Sequence, residues 1–283
     1  MAKSMEQQFC EALKEGETDK AIFLTEFLGK KINKLYEGKT PLMWAVEARD
    51  LKVVEKLIEL GADINIKNNE GMSALNIAFN SLSGDIVEKL LENGATLDAS
   101  RLQKNIILMG AAYVGDEKII EKLVEYVDLS NLDLNVTDAS NRTPLMLAII
   151  RGNSGVAQGL IGLGADVNIK DVWNRSPLMM AIETGDLATA SVLLDFVDDV
   201  DIDAKDELGR NALMRAVFLG HVDIAKKLIE RGADVKAKDN QGVAVLEFAQ
   251  DENVRKAIFE AIKKKYQPEP EGKLYQNSGR FFR

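Results

Sequence analysis

The 283-residue chain is 46% apolar and 29% charged, enough to bury a sizeable core and to exclude disorder of the whole chain. Its formal charge of −9 argues against nucleic acid as the main ligand, because that affinity rests on Lys and Arg neutralising phosphates. The lone cysteine, Cys10, excludes an internal disulfide and a cysteine metal cluster. No run approaches the roughly 18 apolar residues of a membrane span, and MAKSMEQQFC holds no apolar signal segment, so no membrane association and a cytoplasmic location are expected.

Aligning the chain against itself gives a recurring unit: TPLMWAV at 40–46, SALNIAF at 73–79, IILMGAA at 106–112, TPLMLAI at 143–149, SPLMMAI at 176–182 and NALMRAV at 211–217. The spacings between Thr40, Ser73, Ile106, Thr143, Ser176 and Asn211 are 33, 33, 37, 33 and 35. LGADINIKN from Leu60, LGADVNIKD from Leu163 and RGADVKAKD from Arg231 keep the same phase, each 20 residues after a unit start. Two independent motifs share one register.

In chain order, stepping back 33 residues from Thr40 lands on Gln7 and aligns Phe9 with the repeat leucine and Gly16 with the glycine between helices. This predicts an N-terminal capping repeat over 1–37. Six internal repeats follow over 38–241. In the first, the Thr40 hydroxyl caps a helix whose first turn tolerates Pro41, and Leu42, Ala45 and Val46 recur at helical spacing. After a break at Arg49-Asp50, VVEKLIEL at 53–60 forms a second amphipathic helix, closed by Gly61 in the left-handed region. ADINIKNNEG then has turn or hairpin chemistry. Helices this short are unstable alone, so each unit must bury its apolar face against its neighbours.

The spacings of 37 and 35 mark insertions, where YVDLSNLDLN and FVDDVDIDAK replace the glycine turn. The next second helix carries Gly155, Gly159 and Gly162. Together these predict a soft joint near residues 128–165. Ala244 begins the last unit, whose helix pair forms a C-terminal cap over 242–265, with Lys263, Lys264 and Lys265 facing water. Pro268, Pro270 and Gly272 then open a flexible tail, 266–283. It ends on Arg280, Phe281, Phe282 and Arg283, which read as a disordered end or as a short docking motif.

These units resemble the ankyrin repeat, with its T-P-L start, two antiparallel helices and G-A-D-V-N stretch leading into a hairpin; the resemblance covers about residues 7–265. It implies an all-α fold with short β-hairpin loops, an ankyrin-repeat solenoid of stacked antiparallel helix pairs with a concave face of hairpin tips and first helices. One departure is consistent. The family's histidine after the leucine is replaced by Met43, Asn76, Met109, Met146, Met179 and Met214, which predicts adaptable apolar packing in place of a polar bridge to the turn.

No catalytic constellation stands out, so the chain reads as not an enzyme, with no cofactor and no metal. The single histidine, His221, falls at the start of a second helix and reads as structural. GLIGLG at 159–164 lies late in a helix and lacks the strand-to-helix context of a phosphate loop. Asp199, Asp201 and Asp203 imitate a calcium loop, but Ala204 stands where its glycine belongs and Arg210 where its glutamate belongs.

In the resembled family, partners meet the tips and the outward positions of the first helices. The register puts Trp44, Ile77, Leu147, Met180 and Arg215 at one such position, and Glu47, Asn80, Tyr113, Ile150, Glu183 and Phe218 three residues later, with Arg151 beside Ile150. The tips add Arg142, Trp173, Arg175, Leu208 and Arg210. Aromatic residues and arginines are the usual composition of binding hot spots, and Trp173 at a tip has no core to enter. Trp44 also reads as half-buried between repeats. The tip arginines predict a positive strip that receives an acidic segment. The function expected is a non-enzymatic adaptor, scaffold or regulator, a monomer that binds a protein with an acidic or apolar segment. A secreted bacterial-type effector binding a host protein and a ligand-sensing enzyme regulator are the alternatives.

Overall fold

The computed structural model describes residues 3–96, 101–126, 132–196 and 198–266, which hold fifteen α-helices and no strand. The chain divides into two compact units, Met1–Val136 and Thr137–Arg283, with the division inside the segment where the sequence predicts a soft joint. The first unit contains α1 (Met5–Lys14), α2 (Thr18–Thr25), α3 (Pro41–Glu47), α4 (Leu51–Glu59), α5 (Ala74–Asn80), α6 (Gly84–Glu92), α7 (Arg101–Val114) and α8 (Glu117–Tyr126). Consecutive helices pair, and the pairs stack: α1 on α3, α3 on α5, α2 on α4, α4 on α6 and α6 on α8. The second unit contains α9 (Pro144–Arg151), α10 (Ser154–Gly162), α11 (Pro177–Thr184), α12 (Leu187–Phe196), α13 (Ala212–Phe218), α14 (Val222–Arg231) and α15 (Glu252–Tyr266). There α9, α11 and α13 form one row, and α10, α12, α14 and α15 the other. No described helix is long and apolar enough to cross a membrane.

The start signals work as their chemistry requires. Thr40, Ser73, Thr143, Ser176 and Asn211 each accept a hydrogen bond from the amide three residues on, at 3.0–3.3 Å, and all five are buried. Behind four of these caps a methionine fills the core: Met43, Met146, Met179 and Met214 are almost fully buried. Asn76 does otherwise. Its Oδ1 accepts from both the amide and the hydroxyl of Ser73, at 2.9 Å each, so one repeat keeps a polar bridge.

Three starts differ from the register. α1 is capped by Ser4, whose amide donates to the Gln7 side chain at 2.8 Å, so Gln7 is the third residue of the helix and not its start. α7 begins at Arg101, five residues before Ile106, which lies mid-helix and 60% exposed. Isoleucine cannot cap, and RLQKN contains no breaker, so the helix extends backwards. At the C-terminal end, Ala244 leads only into a single 3-10 turn, Val245–Phe248, before α15. Residues 127–131 and Val197, inside the two insertions, lie outside the described residues, as does the tail beyond Tyr266, including Arg280, Phe281, Phe282 and Arg283.

In α10, a Cβ built on Gly159 or Gly162 meets nothing within 4 Å, and neither glycine has a left-handed backbone. They cost helix stability without serving packing. Gly159→Ala and Gly162→Ala are each expected to stabilise the second unit by about 1 kcal/mol, read as a higher urea midpoint at unchanged slope.

Cys10 is buried in α1, and burial pushes its thiol up to about 11, with Glu37 adding to the effect. The folded state favours the neutral thiol. Its contribution to stability is therefore complete below the ordinary value of about 9 and is lost as pH climbs through 11. At pH 8 a thiol reagent is expected to label Cys10 only as fast as α1 opens, with rapid labelling in urea; fast labelling of folded protein would contradict this burial.

Candidate functional site

Five of the loops are built on one acidic or amide residue, five positions ahead of Ser73, Thr143, Ser176, Asn211 and Ala244: Asn68, Asp138, Asp171, Asp206 and Asp239. Each accepts through Oδ1 from the amides two and four residues on, at 2.8–3.0 Å. Each also donates its own amide to the carbonyl four residues on, at 2.8–3.1 Å. The tight reversal needs a left-handed residue at the third position, and Gly71, Asn141, Asn174, Gly209 and Gly242 supply it. The expected hairpins are therefore closed tips, with no strand ladder among the described residues. In the second unit the tips join through one backbone bond each: Val172 to Ser140 at 3.1 Å, Glu207 to Trp173 at 3.2 Å and Asn240 to Leu208 at 3.0 Å, each named donor first.

This frame decides where the predicted arginines go. Arg142 donates Nε to Asp138 Oδ2 at 2.8 Å, and Arg175 donates Nε and Nη2 to Asp171 Oδ2 at 2.9 and 2.7 Å. Burial works to raise the Asp138 carboxyl, but hydrogen bonds from the Arg142 side chain and the amides of Arg142 and Ser140 prevail and hold it below its ordinary value. Arg210 breaks the series. Its tip carboxylate, Asp206, is taken by Arg215, so Arg210 instead lies over the Phe248 ring at 5.5 Å, with Nε 3.8 Å from Asp239. Of the three tip arginines, Arg142 and Arg175 are thus each paired with the carboxylate that closes their own tip, and Arg210 is not.

Arg215 is only 12% exposed and bridges Asp206 and Glu183. Burial, reinforced by the neighbouring Arg175 cation and opposed by Asp171, lowers it to about 10, so it stays charged at neutral pH. Around it run two adjoining clefts. One, of about 380 Å³, is lined by Arg175, Glu183, Arg210, Met214, Arg215, Phe218, Leu219 and Phe248. The other, of about 460 Å³, lies between Trp173, Arg175, Asp206, Glu207, Leu208 and Arg215. Trp173, Leu208, Phe218 and Leu219 stand exposed on their rims, and the Trp173 ring is stacked 4.9 Å from the Arg175 guanidinium.

The other predicted positions divide. Ile77, Leu147 and Met180 are buried, because the stacking of neighbouring first helices covers that register; the outward position is the one three residues later. There Ile150 is half-buried, and Arg151 beside it is exposed at the end of α9. In the first unit Tyr113 is exposed. Trp44 is half-buried and pinned: its Nε1 donates to the Tyr36 carbonyl at 3.1 Å, and Lys14 and Lys39 lie 4.9 and 4.7 Å from the ring. The residues that sequence reasoning missed are Glu183 as a shared anion, the tip aspartates, Leu219 and Phe248. The aspartates had a legible signal, an Asp or Asn three residues before a Gly or Asn in five repeats.

The family model for ankyrin repeats (3 copies) matches residues 9–101, 80–171 and 155–239. The chain belongs to the ankyrin-repeat family. Among curated relatives, ankyrin repeat domain-containing protein 63 of Homo sapiens is 31% identical over 160 residues, covering 54% of this chain and 42% of that protein. The Mus musculus protein of the same name is also 31% identical over 160 residues, with 41% of its length covered. Palmitoyltransferase AKR1 of Lachancea kluyveri is 29% identical over 130 residues, which is 44% of this chain and 17% of that protein. The chain thus spans less than half the length of these relatives. Ankyrin repeats are protein-interaction modules, which is the coarse function this membership gives.

Proposed function

We propose that the chain is a non-enzymatic adaptor, scaffold or regulator that holds a partner protein on the tip and first-helix surface of its second unit. The observation that carries this reading is the row of exposed apolar side chains, Trp173, Leu208, Phe218 and Leu219, on the rims of two clefts whose walls are charged. Apolar anchors within a polar rim have the composition of an interface. Ile150 and Arg151 on α9 extend the surface in this proposal, Tyr113 is a partner contact on the first unit by itself, and cytoplasmic residence follows the composition. The transferase named among the relatives is matched over only 17% of its length, so its chemistry is not assigned to this chain. The test is affinity capture from source-cell lysate with the full chain beside Trp173→Ala/Phe218→Ala, both shown to be folded by circular dichroism. A protein held by the first and lost from the second supports the reading. Equal capture by both would remove the surface from it.

A further inference from the structure

The cleft beside Phe248 contains a cation that its own fold leaves short of hydrogen bonds. At the Asp138 and Asp171 tips the arginine four residues on folds back onto the tip carboxylate. At the third tip it cannot, because Asp206 Oδ2 already accepts from Arg215, which occupies the register held by Leu147 and Met180 in the two preceding repeats. Arg210 is displaced toward the next repeat. Its Nε lies 3.8 Å from Asp239, beyond hydrogen-bond reach, and is buried without an acceptor. Among the described residues its guanidinium donates no hydrogen bond, although its side chain is 40% exposed. Arg215 Nε is likewise buried without an acceptor.

The anions nearby are already engaged. Glu183 meets both Arg175 and Arg215, and Asp239 accepts from the amides of Gln241 and Val243 through Oδ1 while its Oδ2 faces Arg210 as an ion pair at 3.8 Å, too long for a hydrogen bond. The unsatisfied capacity of this cleft is therefore N–H, next to the exposed apolar faces of Phe218 and Leu219. A guanidinium with free donors binds a carboxylate through two parallel bonds, and 380 Å³ accommodates one or two side chains. We infer that this cleft receives a linear segment of a partner protein in which an acidic side chain, held by Arg210, stands beside a large apolar one packed on Phe218 and Leu219. The inference rests on the protein-binding reading above and adds the chemistry of the bound segment.

The test pans a random 12-residue peptide library against the full chain and measures the selected peptides, made synthetically, by titration calorimetry. Selected peptides are expected to share an Asp or Glu next to a large apolar residue. Arg210→Ala, and the peptide's acid-to-amide change, should each weaken binding about tenfold or more, and the two together no more than either alone. Arg210→Lys should recover only part, since an ammonium lacks the fork. Arg215→Leu restores the register of the preceding repeats and frees Asp206 for Arg210, so it should also weaken binding while Arg210 is still present. Melting curves confirm that each variant folds. Selection of basic or uncharged peptides, an unchanged Kd in Arg210→Ala, or no enrichment at all would overturn the inference. None of these decides the broader reading, which stands or falls on the capture that depends on Trp173 and Phe218.

Discussion

Asp171→Ala is expected to destabilise the second unit by about 3 kcal/mol, the largest effect of any single substitution on the tip row. The carboxylate is fully buried, accepts from the amides of Trp173 and Arg175 and holds the Arg175 fork. Its removal leaves two amides without their acceptor and the Arg175 guanidinium with Glu183 alone, each loss being about 1 kcal/mol or somewhat more. The fork contributes the smaller share, because Arg175 is partly exposed and solvent screens it. The first unit contains the control. Its tip uses Asn68, which makes the same two amide bonds, and the residue four on is Met72 where Asp138, Asp171 and Asp206 have arginine. Asp171→Asn should therefore lose less than alanine, and Asp171→Asn/Arg175→Met should recover part of that loss. Urea unfolding followed by circular dichroism reads all three. Equal loss in the alanine and asparagine variants would show that the amide bonds contribute little.

Loss of the Trp173 and Phe218 rings together is expected to lower partner affinity by at least about a hundredfold while changing stability by less than about 1 kcal/mol. Both rings are about half exposed, so the fold gains little from them, whereas burial under a partner would remove that area from water. Single alanine variants measured by titration against the captured protein should divide the loss between the cleft of Trp173 and Leu208 and the cleft of Phe218 and Leu219. Little loss of affinity from the double variant, with its fold intact, would place the partner elsewhere.

Much of the fold was legible because its signals are local. A buried Thr, Ser or Asn cap, a proline in the first turn and apolar residues three and four apart all act within one helix, so consecutive residues carry them. The register failed where the local signal was missing. Ile106 has the phase of a start without a capping side chain, and the segment after Ala244 has the phase of a helix but closes as a 3-10 turn. The outward face was harder to read, since Leu147 and Met180 are apolar whether they face solvent or the next repeat, and only stacking settles which.

The sequence by itself determined the repeat, its phase, the capped helix pairs and membership of the ankyrin family, all encoded in recurring short motifs. Tertiary structure decided which arginine meets which carboxylate. Arg210 and Arg215 compete for Asp206, and Arg210 nears Asp239, 29 positions along the chain, only because successive tips are bonded side by side. Ion pairing follows distance and prior occupancy, and both are set when repeats stack.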